Sequence, residues 1–566
     1  MSEKTNEPAV RRALIVGDTT LEPLGRLLER GSEAPRLQTS AAPYGQVYQI
    51  LLDPGHSAWS FNPDVLVVWT APQLTLPSVE KLLRFESVSA AAAYNAAHHE
   101  VEQFADAVLR AATRVGLVLV PTWLQPENER WVQTLTWKHG VGLANLLAKA
   151  NLILAEKFSS TQNVILLDAG YWQASLGRPA YDPRMFAVAK ILYSQPLFEK
   201  AATEIKAVLR GSFGQGKKVI VCDLDNTLWG GVVGDDGPQN IKLGAPDPMG
   251  ECFHSFQKVI KGLRSRGVLL AICSKNDEKL ALSTIEEHPA MVLRKTDFVG
   301  WRINWKDKAE NLLSLADELN LGLDSFVFLD DSPQERDQVR QILPQVYTPD
   351  LPASPSNFAS FLSSLNCFET PTLGEEDFAR TEMYQAERER KVALDVSGDV
   401  ENWLRSLQIE VHAAPLRRES LPRAAQLLNK TNQFNLSLRR LDEKSFWEWV
   451  EEPCNSAFTF HVSDRFGDFG IAGLASLSLV GRNAQIVDFV MSCRVMGKKV
   501  EEALLGYTLG RARAAGAECI TAQPVDGPRN GPAKVFFAAK FADRDSASID
   551  PSRVAIPPQI SMKEED

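Results

Sequence analysis

The chain has 566 residues, 44% apolar and 23% charged, the composition of an ordinary globular protein with enough apolar mass for several cores, about three or four domains at typical domain size. A formal net charge of −10 argues against a nucleic-acid surface, and no stretch approaches the ~18 apolar residues that a membrane span needs. Seven cysteines without a C-x-x-C pair exclude a disulfide framework and a zinc site.

The first residues, Met-Ser-Glu-Lys-Thr-Asn-Glu, hold no apolar leader, so a cytoplasmic location and no membrane partner are expected. Residues from about 10 to 210 alternate short apolar runs with helical stretches. Strands are expected at Ala13–Asp18, Pro63–Trp69, Val115–Val120 and Val164–Leu167. Helices are expected over Thr20–Arg30, Ala90–Arg114, Leu143–Lys157 and Pro196–Arg210. This is a doubly wound α/β pattern. Gly17-Asp18-Thr19 and Tyr181-Asp182-Pro183-Arg184 resemble the two motif positions of SGNH hydrolases. There the family carries Gly-Asp-Ser and Asp-x-x-His, so Thr19 replaces the nucleophile and Arg184 the base. Residues 1–210 are therefore expected to form an SGNH-like scaffold without hydrolase chemistry. His98 and His99 are adjacent on a helix, point to different faces, and read as a surface pair.

After the turn Gly211–Gly216, the apolar run Val219–Cys222 reads as a buried parallel strand ending in Asp223-Leu224-Asp225. In open α/β sheets, chemistry sits beyond the carboxyl ends of strands. Two acids there suit a hard divalent cation and a phosphate. A plain strand followed by an Asp-rich turn remains the alternative for this stretch alone. Three later segments complete a phosphoryl-transfer inventory. Gly267–Ile272 leads to Cys273-Ser274-Lys275-Asn276, Lys308 opens the helical stretch Ala309–Asn320, and Ser325–Leu329 leads to Asp330-Asp331.

This order resembles the haloacid dehalogenase (HAD) superfamily of aspartyl-phosphate phosphatases, over residues 217–366. The resemblance implies Asp223 as nucleophile and Asp225 as general acid/base that also offers Mg2+ a backbone carbonyl. Ser274 and Thr227 would hold the phosphoryl group, with Lys275 and Asn276 beside it. Lys308 would be the charge clamp, Lys275 the weaker candidate. Asp223, Asp225 and the pair Asp330/Asp331 would form the Mg2+ site, with Asp331 favoured as direct ligand. Only about 50 residues separate Asp223 from Ser274, so no cap domain fits. Trp229–Gly244 is expected to form a short flap, leaving the site open to bulky partners.

Past Pro349–Pro355, Glu375–Val396 reads as a charged helix. Strands follow at Ile409–His412, Ala457–Val462, Gly470–Ala475 and Ala484–Cys493, then the helix Val500–Ala515. With Arg494-x-x-Gly497, residues 375–543 resemble the GNAT acyltransferase fold, whose loop presents N–H groups to a pyrophosphate. Lys499 departs from that pattern, where the family carries Gly or Ala. This puts binding of whole CoA in doubt while leaving room for a pantetheine arm. Asn530 with Phe536-Phe537 resembles the late segment of that fold. Residues 544–566 are polar and expected to be a disordered tail.

The motifs Asp223-Leu224-Asp225-Asn226-Thr227-Leu228-Trp229, Phe328-Leu329-Asp330-Asp331-Ser332-Pro333 and Lys430-Thr431-Asn432-Gln433-Phe434-Asn435-Leu436 together resemble the FkbH-like branch of the HAD superfamily, associated with polyketide assembly. That resemblance implies a glyceryl unit taken from 1,3-bisphosphoglycerate, dephosphorylated, and loaded as a thioester on an acyl carrier protein. Cys493, at the end of the strand along which a GNAT fold lays pantetheine, is the candidate acyl-holding or arm-proximal thiol, with His461 and Asp488 as its candidate assistants. Asn432, Gln433 and Asn435 are candidates for substrate hydroxyls, with Arg494 and Gly497 for the arm's phosphate. Cys222 and Cys273 read as core fillers. Arg417-Arg418, Arg439-Arg440 and Lys498-Lys499 are the basic pairs available for an acidic carrier. The alternatives are a simple phosphatase acting on a small phosphoester and a non-catalytic carrier-docking protein.

Overall fold

A computed structural model of the chain describes residues 10–31, 35–84, 90–126, 133–161, 163–177, 179–370, 374–378, 380–386, 388, 400–431, 433–527, 530–541 and 555–565. The chain divides into two compact units, one of residues 1–216 with 369–371 and one of 217–368 with 372–566. Both are mixed α/β, and each holds a parallel sheet. Among the described residues, no helix is long and apolar enough to cross a membrane.

The first unit carries β1 (Arg11–Gly17), β2 (Leu37–Ala41), β3 (Val65–Trp69), β4 (Leu117–Pro121) and β5 (Val164–Leu167), parallel in the order β2-β1-β3-β4-β5. Strands β3 and β4 are buried at every position, as continuous apolar runs demand when both faces of a sheet are covered. Leu14, Val16, Leu66 and Val68 face one core, packed under Ala90–Ala112. Ala13, Ile15, Val65 and Val67 face the other, packed under Gln195–Ser212. Each fully buried Val, Ile or Leu contributes roughly 1.5–3 kcal/mol. The first helix begins at Glu22, later than the expected Thr20. Thr20 is held away from the helix, its N–H bonded to Lys190 O (2.9 Å) and its hydroxyl to Ala189 O (2.8 Å).

The second unit begins with β6 (Val219–Cys222), β7 (Leu269–Ser274), β8 (Phe298–Ile303) and β9 (Phe326–Leu329), parallel in the order β8-β7-β6-β9. Between β6 and β7 stand a one-turn helix, Val233–Asp236, and the helix Pro248–Ser265, so no cap domain is inserted. The flap is closed on itself by paired backbone bonds between Gly230 and Lys242 (3.0 and 2.8 Å). Gly231 adopts φ +96°, and a Cβ there would lie 2.5 Å from the Asp236 carboxylate, so this turn requires glycine.

A second sheet follows: β10 (Ile409–Pro415), β11 (Asn455–Asp464), β12 (Gly467–Val480), β13 (Asn483–Met491), β14 (Cys519–Ala522) and β15 (Ile560–Glu564), in the order β14-β13-β12-β11-β10-β15. Alternating burial along β10 and β13 sends their apolar side chains to a core shared with the helix Val500–Ala514. Strand β15 corrects the expectation of a disordered tail over 544–566. Ile560–Glu564 pairs in parallel with Ile409–Ala413, and Glu564 bonds Tyr507 Oη (2.9 Å) and Arg511 Nη1 (2.6 Å). A polar composition hid a strand whose partners lie about 150 residues away. The charged helix expected over Glu375–Val396 is helical at Glu375–Phe378, over 380–386 and at 388, and its remainder lies outside the described residues.

Candidate active site

The carboxyl ends of β6, β7, β8 and β9 share one edge, because the strands are parallel neighbours. Asp223 follows β6, its N–H bonded to Leu329 O (2.9 Å), so its backbone is fixed against β9. Lys308 is the first residue of the helix Lys308–Leu319, whose start is capped by the Asp307 carboxylate (2.7 Å to Ala309 N). Its Nζ lies 3.0 Å from Asp223 Oδ1 and 2.5 Å from Asp330 Oδ2, and all three residues are buried. Ser274 at the end of β7 hydrogen-bonds the Asp223 side chain.

The electrostatics follow from burial and from having one cation between two carboxylates. Burial pushes Asp223 above the usual carboxylate value, opposed by Lys308 and Ser274. Burial and the nearby Asp223 push Asp330 up to about 6. Burial opposes the charge on Lys308, but Asp223 and Asp330 outweigh it and hold the ammonium above its usual pKa.

Carboxylate oxygens of Asp223, Asp330 and Asp331 lie within 4.8 Å of one another. Asp223 Oδ1 is buried and faces Lys308 Nζ at 3.0 Å. Three converging carboxylates, an all-oxygen donor set, fit a hard cation such as Mg2+. Asp331 is placed by its N–H to Thr227 Oγ1 (3.1 Å), and Ser332 N–H bonds Asp330 Oδ1 (2.9 Å). Arg336 secures the pair from behind, donating to the carbonyls of Asp330 (2.7 Å) and Asp331 (2.8 Å). The motif Asp-Asp-Ser-Pro-Gln-Glu-Arg was visible in sequence, but nothing in it said that the arginine turns back.

The Asp225 carboxylate lies outside the acidic cluster. It accepts from Trp229 Nε1 (2.8 Å) and Val233 N (3.1 Å) in the flap and from Asn276 Nδ2 (2.9 Å) after β7. Asn276, expected to touch substrate, thus orients Asp225, and buried Trp229 was missed as its partner. Lys275 pairs with Glu335 (2.6 Å), which leaves Lys308 as the lysine beside Asp223. Cys222 and Cys273 are buried, and burial pushes the Cys273 thiol up to about 12, so neither is a thiolate nucleophile.

The residues expected to hold a pantetheine arm are placed differently. Along β13, Leu436 N–H bonds Phe489 O and Met491 N–H bonds Phe434 O (both 3.0 Å), so the chain itself pairs with this edge. Asn435 is buried, donating to Leu428 O (3.3 Å) and Thr431 O (3.1 Å) and accepting from Ser437 N (3.2 Å) and Leu438 N (2.8 Å). With donors and acceptor used internally, its side chain organises a loop and is not available to substrate hydroxyls. Asn530 locks the same loop, donating to Asn435 O (3.2 Å). Gln433 sits half-buried beside it, while Asn432 and the side chain of Cys493 lie outside the described residues.

Gly497 has φ +75° and Lys499 φ +60° at the start of the helix Val500–Ala514. A lysine thus sits in the left-handed region that favours glycine. The Glu501 carboxylate lies near the N–H groups of Gly497 and of Glu501 itself, its Oε2 buried without a hydrogen-bond partner, and burial raises that carboxyl's pKa. The anion position expected for a phosphate is filled by the chain's own acid. Arg494 Nε donates to Ser492 Oγ (2.9 Å). Asp488 is buried under Ser437 Oγ, Ser476 Oγ (2.6 Å each) and Arg439, so its carboxylate oxygens are held within the fold. The basic pairs are engaged as well: Arg418 with Glu451 (3.6 Å), Arg439 with Asp488, Arg440 with Leu428 O, Lys498 with Arg494 O (2.6 Å) and Lys499 with Glu401 (3.6 Å).

In the first unit, Asp18 also ends a central strand. Its carboxylate accepts from Ala71 N (2.9 Å) and Thr75 Oγ1 (2.6 Å), and burial pushes its pKa up to about 7. Thr19 is 1% exposed.

No family model matches the chain, and no curated protein matches it. The chain is similar to the crystal structure of the N-terminal part of the protein BF1531 from Bacteroides fragilis, which contains a phosphatase domain and is complexed with Mg. The two share 29% identity at a TM-score of 0.58, over 66% of this chain and 97% of that one. This likeness supports a HAD-like phosphatase architecture. The ribosomal-protein-S18-alanine N-acetyltransferase from Escherichia coli matches at 15% identity and TM-score 0.16, over 19% of this chain and 64% of its own. A GCN5-related glucosamine N-acetyltransferase region of a fungal β-N-acetylglucosaminidase matches at 10% and 0.20, over 94% of this chain and 77% of its own. At such TM-scores neither acetyltransferase bears on the argument.

Proposed function

We propose that the chain is an Mg2+-dependent phosphatase and glyceryltransferase that takes 1,3-bisphosphoglycerate, removes phosphate, and loads the glyceryl unit as a thioester on an acyl carrier protein. The observation that carries the phosphatase half is Lys308 seated between Asp223 and Asp330, with Ser274 and Asp331 at the same sheet edge. The likeness to a phosphatase domain complexed with Mg supports it. The loading half rests on the FkbH-like motifs.

In this reading the carrier thiolate attacks the C1 carbonyl carbon and the C1 phosphate leaves with the electron pair, forming the thioester; at the C3 phosphoester an Asp223 oxygen attacks phosphorus, and the bond from phosphorus to the leaving oxygen breaks. That oxygen keeps the electron pair and takes a proton from Asp225. Water then attacks the aspartyl-phosphate, giving its proton to Asp225 and releasing phosphate. Lys308 and Ser274 hold the phosphoryl oxygens while charge develops. Magnesium, held by Asp223, Asp330 and Asp331, would offset the repulsion between these carboxylates and the phosphate.

The test combines purified protein, holo carrier protein, magnesium and 1,3-bisphosphoglycerate. Intact-protein mass spectrometry is expected to show the carrier gaining one glyceryl group. A carrier that gains nothing, or an acetyl group from acetyl-CoA instead, overturns the loading half. The self-paired β13 edge and the Glu501-filled loop favour a second reading, a phosphatase of small phosphoesters with the β10–β15 sheet as scaffold. Phosphate release that is indifferent to the carrier selects it.

A further inference from the structure

The flap after β6 is built around one carboxylate. Trp229, fully buried in the core of this sheet, donates its indole N–H to Asp225 Oδ1 (2.8 Å), and the N–H of Val233 donates to the same oxygen (3.1 Å). Three further bonds fix the flap's course. The Leu228 carbonyl accepts from buried Gln257 Nε2 (2.8 Å), Gly231 N–H donates to Asn226 Oδ1 (2.9 Å), and Val232 N–H donates to Asp236 Oδ2 (2.9 Å).

Each carboxylate oxygen offers two lone pairs, and an indole or backbone N–H can only donate. Both lone pairs of Oδ1 are therefore taken, and a proton placed there would face two N–H hydrogens. Oδ2 is differently served. It accepts from Asn276 Nδ2 (2.9 Å), and the Asn276 amide is oriented by Asp277 N–H, which donates to its oxygen (2.9 Å). No other described residue donates to Oδ2, so one of its lone pairs stays open. Asn276 follows Ser274 by two residues, so the donor on Oδ2 comes from the strand end that also serves Asp223. Both donors on Oδ1 come from the flap.

We infer that the Trp229 indole and the Val233 N–H are positioning groups that give the two oxygens of Asp225 separate tasks. Oδ1 is the anchor held by the flap. Oδ2 is the oxygen that gives its proton to the leaving oxygen and recovers one from the attacking water. The inference rests on the phosphatase half of the reading under Proposed function and adds to it the atom that moves the proton and the residues that select it. Without the indole N–H, Oδ1 has an open lone pair, and the proton is no longer confined to one oxygen.

The experiment measures kcat/KM of the whole chain, with magnesium, for two phosphoesters. Glycerol 3-phosphate has an alkoxide that must be protonated as it leaves, whereas p-nitrophenyl phosphate releases a phenolate that needs no proton. Because kcat/KM covers the steps up to release of the alcohol, the later attack of water does not enter. Trp229→Phe keeps a ring in the core and removes the N–H. It is expected to lower the ratio of the two values, alkyl over aryl, about 10-fold or more, a part of the roughly 10²–10⁴ that a positioned acid contributes. Val233→Pro removes the other N–H. Position 233 opens the one-turn helix and Val232 before it is extended (φ −110°, ψ 110°), so proline fits there. This variant should lower the ratio too, and it decides alone if Trp229→Phe does not fold. In an Asp225→Asn background neither substitution should move the ratio by more than about twofold, because the acid they position is gone. An unchanged ratio in both variants overturns the inference, as does an equal further loss in the Asp225→Asn background. A wild type that hydrolyses p-nitrophenyl phosphate but not glycerol 3-phosphate overturns the inference alone, since no proton is delivered. Hydrolysis of neither ester overturns the phosphatase reading with it.

Discussion

Two parallel sheets in this chain end a central strand in an aspartate, and only one of them builds a reactive edge. Asp223 meets Lys308 from a helix start, Ser274 from the end of β7, and Asp330 and Asp331 from the end of β9. Asp18 meets a backbone N–H and the Thr75 hydroxyl, beside a buried Thr19. Both carboxyl groups are pushed up by burial. The difference lies in the company. An acid at a strand end becomes chemically useful where neighbouring strands deliver a cation and further acids to the same point. Hydrogen-bond donors alone make it a fastening.

The sharpest way to break this comparison is to remove each acid in turn. Asp223→Asn is expected to lower phosphate release by at least about 10³-fold, whereas Asp18→Asn leaves it unchanged. A colorimetric phosphate assay decides the matter, and comparable losses in both variants would end the distinction. Next in size is Lys308→Met, which leaves Asp223 and Asp330 facing each other without their cation. Removing one partner of a buried ion pair costs about 3–5 kcal/mol, read as a lower denaturant midpoint. An unchanged midpoint would mean the two carboxylates are already neutral.

A smaller effect belongs to Asp18. Burial pushes its folded-state pKa up to about 7, from an ordinary carboxylate value of 3.8. Between those values the unfolded chain has released the proton and the folded chain has kept it. The first unit should therefore lose stability as pH rises from about 4 to about 7, with no further loss above. Thermal melts across that range should show the slope in wild type and not in Asp18→Asn. The weakest signal extends the comparison to the third sheet. Because Glu501 fills the loop after Gly497, CoA is expected to give no saturable heat in titration calorimetry. Measurable CoA binding by wild type would show that Glu501 yields to a phosphate.

Much of the Asp223 edge was legible in sequence. Apolar runs of strand length, each followed at once by an acid or hydroxyl, announce buried parallel strands and what they carry. Lys308 was readable because it opens a helical stretch, whereas the strand before it, β8, was not expected. What could not be read is where polar side chains turn. Asn276 and Asn435 carry the same amide, and nothing local says that one orients Asp225 while the other is spent on its own loop. Glu501 in the N–H position of a phosphate is hidden for the same reason, since a glutamate in a first helical turn is ordinary. Strand β15 escaped because its pairing with β10 is non-local.

That strand has a practical side. Residues 560–564 run alongside β10 and occupy the outer rank of backbone donors and acceptors there. A shortened protein lacking them would present a bare β10 margin, suited to recruiting the same margin of another molecule. Trimming the chain for crystallisation or expression at that point invites fibrous or oligomeric material, even though every catalytic group would remain.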